Sequence, residues 1–431
     1  MNSSVTAYNK TKLLGTINFT IKRHTFMYFI VIDLLFFPYV PFFVMPMSLP
    51  FVVAALFLGT ESPCHNAISL LYLFSVCVVI SVIAGLIFYG DESMLEDFKR
   101  AGQLLSSFAY YLYFKSSLKK RAFDPTNILI FFIFSQLFLI FFFYNNPDGF
   151  SVLRIKMAPA TAGTVEHIYK HFRYTYFFSD PNTVAYFSLV CAFFVLHTHS
   201  SIILKWCMLL ISCLIIVATN SRGAVLCMAA LISLSLYRVF RGRISVSLTL
   251  LKKNICGIFV LVMVFTIFAA TDTGKMSFET MEAVYTLFEQ RSGAAEYYES
   301  GGETRLDIWH NIVSTYVPSF FGWGYSFLGT PHTDHLRMIY SYGIVAYGIL
   351  LYLVFRFILV PGFEFLIPAF MAFSINSLID EQKFFALVLS LVAVAQVTVG
   401  DSNRMKHIIN NSLFVPPIFK NEGANTNQIV K

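Results

Sequence analysis

Four short stretches of this 431-residue chain hold side chains that can grip an anion or move a proton. The first is Thr219-Asn220-Ser221-Arg222-Gly223, an arginine in a tight turn between two apolar runs. An arginine fixed there can donate a bidentate fork to a phosphate, although one at a helix end also reaches simply for the lipid–water boundary. The second runs from Arg173 to Asp180-Pro181-Asn182. Asp-Pro-Asn is a turn and helix-start signal, with Asp180 or Asn182 near the cap, so Arg173 is expected just ahead of a helix at a membrane rim. The third is Gly301-Gly302-Glu303-Thr304-Arg305, followed by Trp309. On a helix Arg305 and Trp309 share a face, so a cation–π contact competes with anion binding. The fourth is Pro331-His332-Thr333-Asp334-His335-Leu336-Arg337. Two histidines and an aspartate suggest zinc at first sight, but the sequence places no third ligand, so no metal is expected. A histidine at a membrane edge can act as a general base near neutral pH, with a plain surface position as its simpler use; His335 reads as structural. Together these residues suit a lipid diphosphate with a hydroxyl acceptor. Arginines hold the phosphates and stabilise the leaving group, and the histidine takes the acceptor's proton.

Such groups need a scaffold, and composition says which kind. Hydrophobic residues make up 57% of the chain and charged residues 13%, against about 25% charged in a soluble domain. Lipid must therefore cover much of the apolar surface. Runs of about 20 apolar residues recur, long enough to cross about 30 Å of hydrocarbon, and the alternating ~10-residue segments of a β-barrel are almost missing. The expected fold is all-α and polytopic, with spans near 27–45, 47–60, 68–89, 104–118, 127–144, 181–198, 202–219, 223–240, 254–271, 337–358, 361–378 and 384–400. The second, fourth and eleventh carry the weakest signal. No cleavable signal peptide is evident, so the first span is expected to act as its own insertion signal. The seven cysteines lie mostly in apolar runs with no CxxC pair, as packing residues do.

Lys and Arg gather at the N-terminal tail (Lys10, Lys12, Lys22, Arg23), at the end of the fourth span and after it (Lys115, Lys119, Lys120, Arg121), and at the end of the eighth and after it (Arg238, Arg241, Arg243, Lys252, Lys253). With twelve spans and a cytoplasmic N-terminus, all three groups fall inside, as does the C-terminal tail 401–431 with Arg404, Lys406 and Lys420. The +7 net charge is thus a topology signal, and no nucleic acid is expected as a partner. The loop 145–180, the turn at Asn220 to Gly223 and the loop 272–336 then lie outside. The last has nine acidic residues against three basic ones and is too long to be a plain connector. Residues 276–291 and 303–316 within it have helical spacing. The chain as a whole, 1–431, is expected to form a single membrane domain with one large, partly helical outer loop.

These motifs resemble those of the O-antigen ligase/polymerase family, which includes Wzy-type polymerases and WaaL-type ligases. The resemblance covers roughly residues 165–350. The family's Arg ahead of a "DPN" helix start is similar to Arg173 through Asn182, and its "SRG" helix start to Ser221-Arg222-Gly223. Its "R-x-x-x-W … G-x-G-x-x-x-F" stretch resembles Arg305, Trp309, Gly322, Gly324 and, one residue early, Phe327. Its "HNDYLRLLxEYG" motif resembles His332 through Gly343, with Thr333 where Asn is usual. The resemblance implies a metal-independent, cofactor-free glycosyl transfer at the periplasmic face of the bacterial inner membrane. The donor it implies is an oligosaccharide on undecaprenyl diphosphate, and a chain-length regulator protein is an implied partner. His332 would be the base. Arg173, Arg222, Arg305 and Arg337 would bind diphosphate, with Asp334 and Asn182 in support. A polymerase would pass the chain to a hydroxyl of another lipid-linked repeat unit, and a ligase to lipid A-core. The "His-x-Asp-x-Leu-Arg" form favours polymerase. A lipid-linked sugar transporter is the reading of a different class. It would want buried charges along a path and related halves, whereas Asp33 is the clear intramembrane acid of the early spans and no halves repeat.

Overall fold

The computed structural model describes residues 23–37, 39, 45–58, 65–89, 91–118, 123–157, 173–178, 180–198, 201–241, 305–328, 333–358, 363–375 and 381–400. The helices, in chain order, are α1 (Arg23–Phe36), α2 (Leu49–Leu58), α3 (His65–Tyr89), α4 (Asp91–Leu118), α5 (Thr126–Asn145), α6 (Pro147–Met157), α7 (Pro181–Thr198), α8 (Ile202–Thr219), α9 (Arg222–Arg241) and α10 (Arg305–Thr315). After a 3₁₀ turn at Tyr325–Phe327 come α11 (334–358), α12 (Leu366–Ile375) and α13 (Gln382–Gly400). No strand occurs among the described residues. Three stretches there are long and apolar enough to cross a membrane: Thr126–Asn145, Pro181–Thr198 and Asp334–Phe355. Phe57, Ile87, Phe131, Phe138 and Phe355 stand exposed on outer faces. This is the pattern of an all-α membrane protein, whose apolar exterior meets lipid.

A helix occupies every predicted span that the described residues cover; the ninth, 254–271, lies outside them, as do 276–291 and the tail 401–431. Three boundaries differ for local reasons. α1 stops at Phe36 rather than near 45, because Pro38, Pro41 and Pro46 each lack an N–H donor. α4 starts thirteen residues early, at Asp91 rather than 104. Its 28 residues rise ~42 Å, more than a bilayer core needs, and its extra turns are polar. Glu96 there pairs with Arg100 at 2.6 Å and with Lys99 at 3.2 Å. Finally, the expected outer loop 145–180 contains α6, whose start is fixed by Gly149 N–H donating to Asn146 Oδ1 at 2.9 Å. Proline at its first position needs no donor.

One main core joins α1 to α5, α7 to α9 and α11 to α13. α13 lies along α4, α7 packs on α8 and α5, and α12 on α9 and α7. Two buried carboxylates inside this core have cationic or histidine partners. Glu364, in the weak eleventh segment, sits 2.8 Å from His197 Nε2 of α7. Asp33 is fully buried in α1; its Oδ2 accepts from Ser48 N–H at 2.7 Å, and Lys383 Nζ lies 3.9 Å from its Oδ1. Lys383 Nζ also donates to the Asp33 carbonyl at 3.0 Å and to the Phe37 carbonyl, so it caps the end of α1. A second, smaller cluster packs Ile308 and Ile312 of α10 against Leu336, Ile339 and Tyr340 of α11.

Candidate active site

Arg173 is buried against the turn between α8 and α9. Its Nε donates to the Thr219 carbonyl at 2.8 Å, and its Nη2 to the Asn220 carbonyl and to Asn182 Oδ1, both at 3.3 Å. Next to it, Tyr174 N–H donates to the Ala218 carbonyl at 2.9 Å. The turn needs such support. Asn220 takes left-handed φ 49°, ψ 48°, as helix ends do with Gly or Asn. Ser221 Oγ then accepts the Ala224 N–H at 3.4 Å and opens α9. Arg222 is the first residue of α9; its side chain lies outside the described atoms. At the start of α7, Asp180 is the cap. Its Oδ1 accepts from Asn182 N–H at 2.9 Å and from Asn182 Nδ2 at 3.0 Å, which aims the Asn182 carbonyl oxygen at Arg173. The Arg173 and Ser-Arg-Gly motifs, read separately in the sequence, are thus one unit. In that unit the Arg173 guanidinium bonds two main-chain carbonyls.

The His332–Gly343 motif opens α11. His332 lies outside the described residues, and Asp334 and Arg337 are buried in the first turn. Thr333 Oγ1 donates to the Phe373 carbonyl of α12 at 3.2 Å, so its hydroxyl docks the start of α11. His335 is held from both sides, by Ser374 Oγ at 2.8 Å and Tyr347 OH at 3.0 Å, which fits its structural reading. α11 begins as α-helix over Asp334–Arg337, widens to a π-turn over Met338–Tyr342, and resumes over Gly343–Ile358. Gly343 has φ 92° and ψ 164°, which no helical residue has. The break is stitched by the 319–324 segment. Trp323 N–H donates to the Tyr340 carbonyl at 3.0 Å and Gly324 N–H to the Ser341 carbonyl at 3.1 Å; in return Ile344 N–H donates to the Ser319 carbonyl at 3.0 Å. Gly322 and Gly343 touch: a Cβ on Gly343 would meet Gly322 N at 2.6 Å. The two glycine motifs therefore meet at one crossing.

Four residues that the sequence reading did not single out join this crossing. Asp97 of α4 bonds Ser326, and the Tyr325 ring carries Arg337 at 4.2 Å and Arg100 at 5.2 Å from its centroid. A cluster of charge at the polar start of α4 was the available signal. Of the predicted residues, the structure brings Arg173 and Asn182 to the start of α9. It brings α10, which contains Arg305, against the start of α11, which carries Asp334 and Arg337. The Arg305 side chain, like that of Arg222, lies outside the described atoms. An apolar crevice with a volume of about 80 Å³ runs between α4, the later turns of α11, α12 and α13. Phe108, Leu350, Phe370 and Phe373 line it, and Gln396 sits in its lining on α13, bonded by Lys115 Nζ at 2.6 Å. Phe370 also packs on the His335 ring at 4.9 Å.

Part of this site falls within a stretch that matches a known family. Residues 207–353 match the O-antigen ligase family model. The match starts within α8 and ends within α11, so it takes in the Ser-Arg-Gly turn, the Arg305 helix, the glycine crossing and the His332 motif. Arg173, Asn182, Asp97 and Arg100 precede it. Comparison with curated proteins gave no match. The O-antigen ligase family model covers ligases and polymerases alike, enzymes that act on lipid-linked oligosaccharides.

Proposed function

We propose that the chain is a Wzy-type polymerase of O-antigen or a related surface polysaccharide. It transfers a glycan from undecaprenyl diphosphate to a hydroxyl of another lipid-linked repeat unit, at the periplasmic face of the inner membrane. The observation that carries the lipid-linked donor is the apolar crevice between α4, α11, α12 and α13, whose Phe370 packs on His335 in the first turn of α11, since an amphiphile needs a hydrocarbon slot near its anionic head. Arg222 supports it further. It stands first in α9, where the macrodipole disfavours a cation by ~0.3–1 kcal/mol. A bound diphosphate removes that cost and uses the helix N-terminus as well. In this reading His332 takes the acceptor proton, Arg222, Arg305 and Arg337 bind diphosphate, and Arg173 with Asn182 sets the turn from which Arg222 projects. Asp33, the intramembrane acid of the early spans, is engaged by Ser48 and Lys383.

Acceptor identity separates polymerase from ligase, and the "ligase" description of the matching family favours the second. Deleting the gene and resolving the cell's lipopolysaccharide on a gel decides. Core bearing one repeat unit is the expected result; bare core with accumulated lipid-linked long chains would instead establish a ligase. His332→Ala should copy the deletion while the protein is still made, and normal long chains from that variant would sink the base assignment. Arg173→Lys keeps the charge but loses the fork across Thr219 and Asn220. It is expected to lower transfer roughly tenfold, chiefly through a raised donor KM, because a displaced turn misplaces Arg222, a ligand of the donor's diphosphate. Full activity from Arg173→Lys would end the clamp.

A further inference from the structure

Asp97 is 2% exposed, in the polar start of α4. A buried carboxylate costs several kcal/mol unless it is hydrogen-bonded, and its partners here lie on a remote segment. Its Oδ1 accepts from Ser326 N–H at 2.7 Å and Ser326 Oγ–H at 2.6 Å, across 229 residues of sequence. Both are short, charge-assisted bonds. Space is reserved for it: a Cβ on Gly85 of α3 would fall 2.6 Å from Asp97 Oδ2, and one on Gly324 would fall 2.5 Å from it. Ser326 follows Tyr325, and the Tyr325 ring is the face on which Arg337 lies. Arg100, one turn on from Asp97, rests on the same ring while bonded to Glu96.

The geometry points to Asp97 as a positioning residue for the donor site: through Ser326 and Tyr325 it sets where Arg337 presents its guanidinium. The latch comes from outside the family match, so the N-terminal half of the chain helps to build the site. The inference rests on the proposed role of Arg337 as a diphosphate ligand, and its test separates the two. Purified full-length protein would be assayed for transfer from a polyprenyl-diphosphate oligosaccharide, and for hydrogen–deuterium exchange over residues 322–342. Asp97→Ala should raise exchange there and raise donor KM about tenfold with kcat changed less than twofold. Asp97→Asn keeps an acceptor for both Ser326 donors and should restore most of the loss. In an Arg337→Ala background, Asp97→Ala should change donor KM less than twofold, because the group it positions is gone. Unchanged exchange in Asp97→Ala overturns the latch whatever the activity does. Equal effects of Asp97→Ala in both backgrounds overturn its action through Arg337. Raised exchange with normal donor KM in Arg337→Ala overturns the diphosphate role of Arg337 and leaves the latch standing. Where Asp97→Ala fails to fold, Ser326→Ala, which removes one of the two bonds, carries the same comparison.

Discussion

Replacing Lys383 by alanine is expected to destabilise the folded protein by about 3–5 kcal/mol, enough to lose most of it from the membrane. The reason is what stays behind. Asp33 is fully buried, and the Lys383 ammonium is the cation beside it, 3.9 Å from Oδ1. The same ammonium satisfies the Asp33 and Phe37 carbonyls at the end of α1, where prolines prevent the helix from continuing. Removing it leaves an uncompensated buried charge and orphaned carbonyls at once. Asp33→Asn combined with Lys383→Met removes both charges and should recover at least half of the loss. Unfolding midpoints in mixed detergent micelles read the difference. A Lys383→Ala protein within 1 kcal/mol of the parent would show the pair to be dispensable.

The second large effect is expected at the break in α11. Gly343→Ala places a residue with a Cβ at φ 92°, ψ 164°, a region essentially reserved for glycine, at a cost of about 1–3 kcal/mol. That Cβ would also lie 2.3 Å from the Phe320 carbonyl oxygen and 2.6 Å from Gly322 N, both backbone atoms that cannot rotate away. The 319–324 segment must then part from α11, and the bonds from Trp323, Gly324 and Ile344 go with it. Transfer activity should vanish, and limited proteolysis should open new sites near residue 320. Gly348, five residues on in the same helix, is the internal control. Nothing lies within 4 Å of its would-be Cβ, so Gly348→Ala should be neutral or stabilising by about 0.5–1 kcal/mol. Equal tolerance at both positions would remove the crossing from the account.

How much of this was legible depended on the range of the interaction. Asp180-Pro181-Asn182 and Ser221 could be read as helix starts because their caps bond residues two or three positions away. The glycines of the 322–324 and 343 motifs were visible as motifs, but their contact with each other was not. Arg173 reads as an anion ligand in sequence, since nothing local marks main-chain carbonyls 46 residues on as its acceptors. Asp97 and Arg100 fall ahead of the predicted fourth span, 104–118, where nothing in the spacing ties them to the site. Length and charge placed α4 well enough, but its partner Ser326 belongs to a segment whose pairing no periodicity announces.

The Asp97–Ser326 contact bears on how the family's region can be moved between proteins. Residues 207–353 form a recognisable cassette in sequence, yet the turn holding Tyr325 is completed by Gly85 and Asp97, over a hundred residues upstream. A chimera that transplants the cassette alone carries a socket without its plug. Grafts that include α3 and the first turns of α4 move the site as a whole.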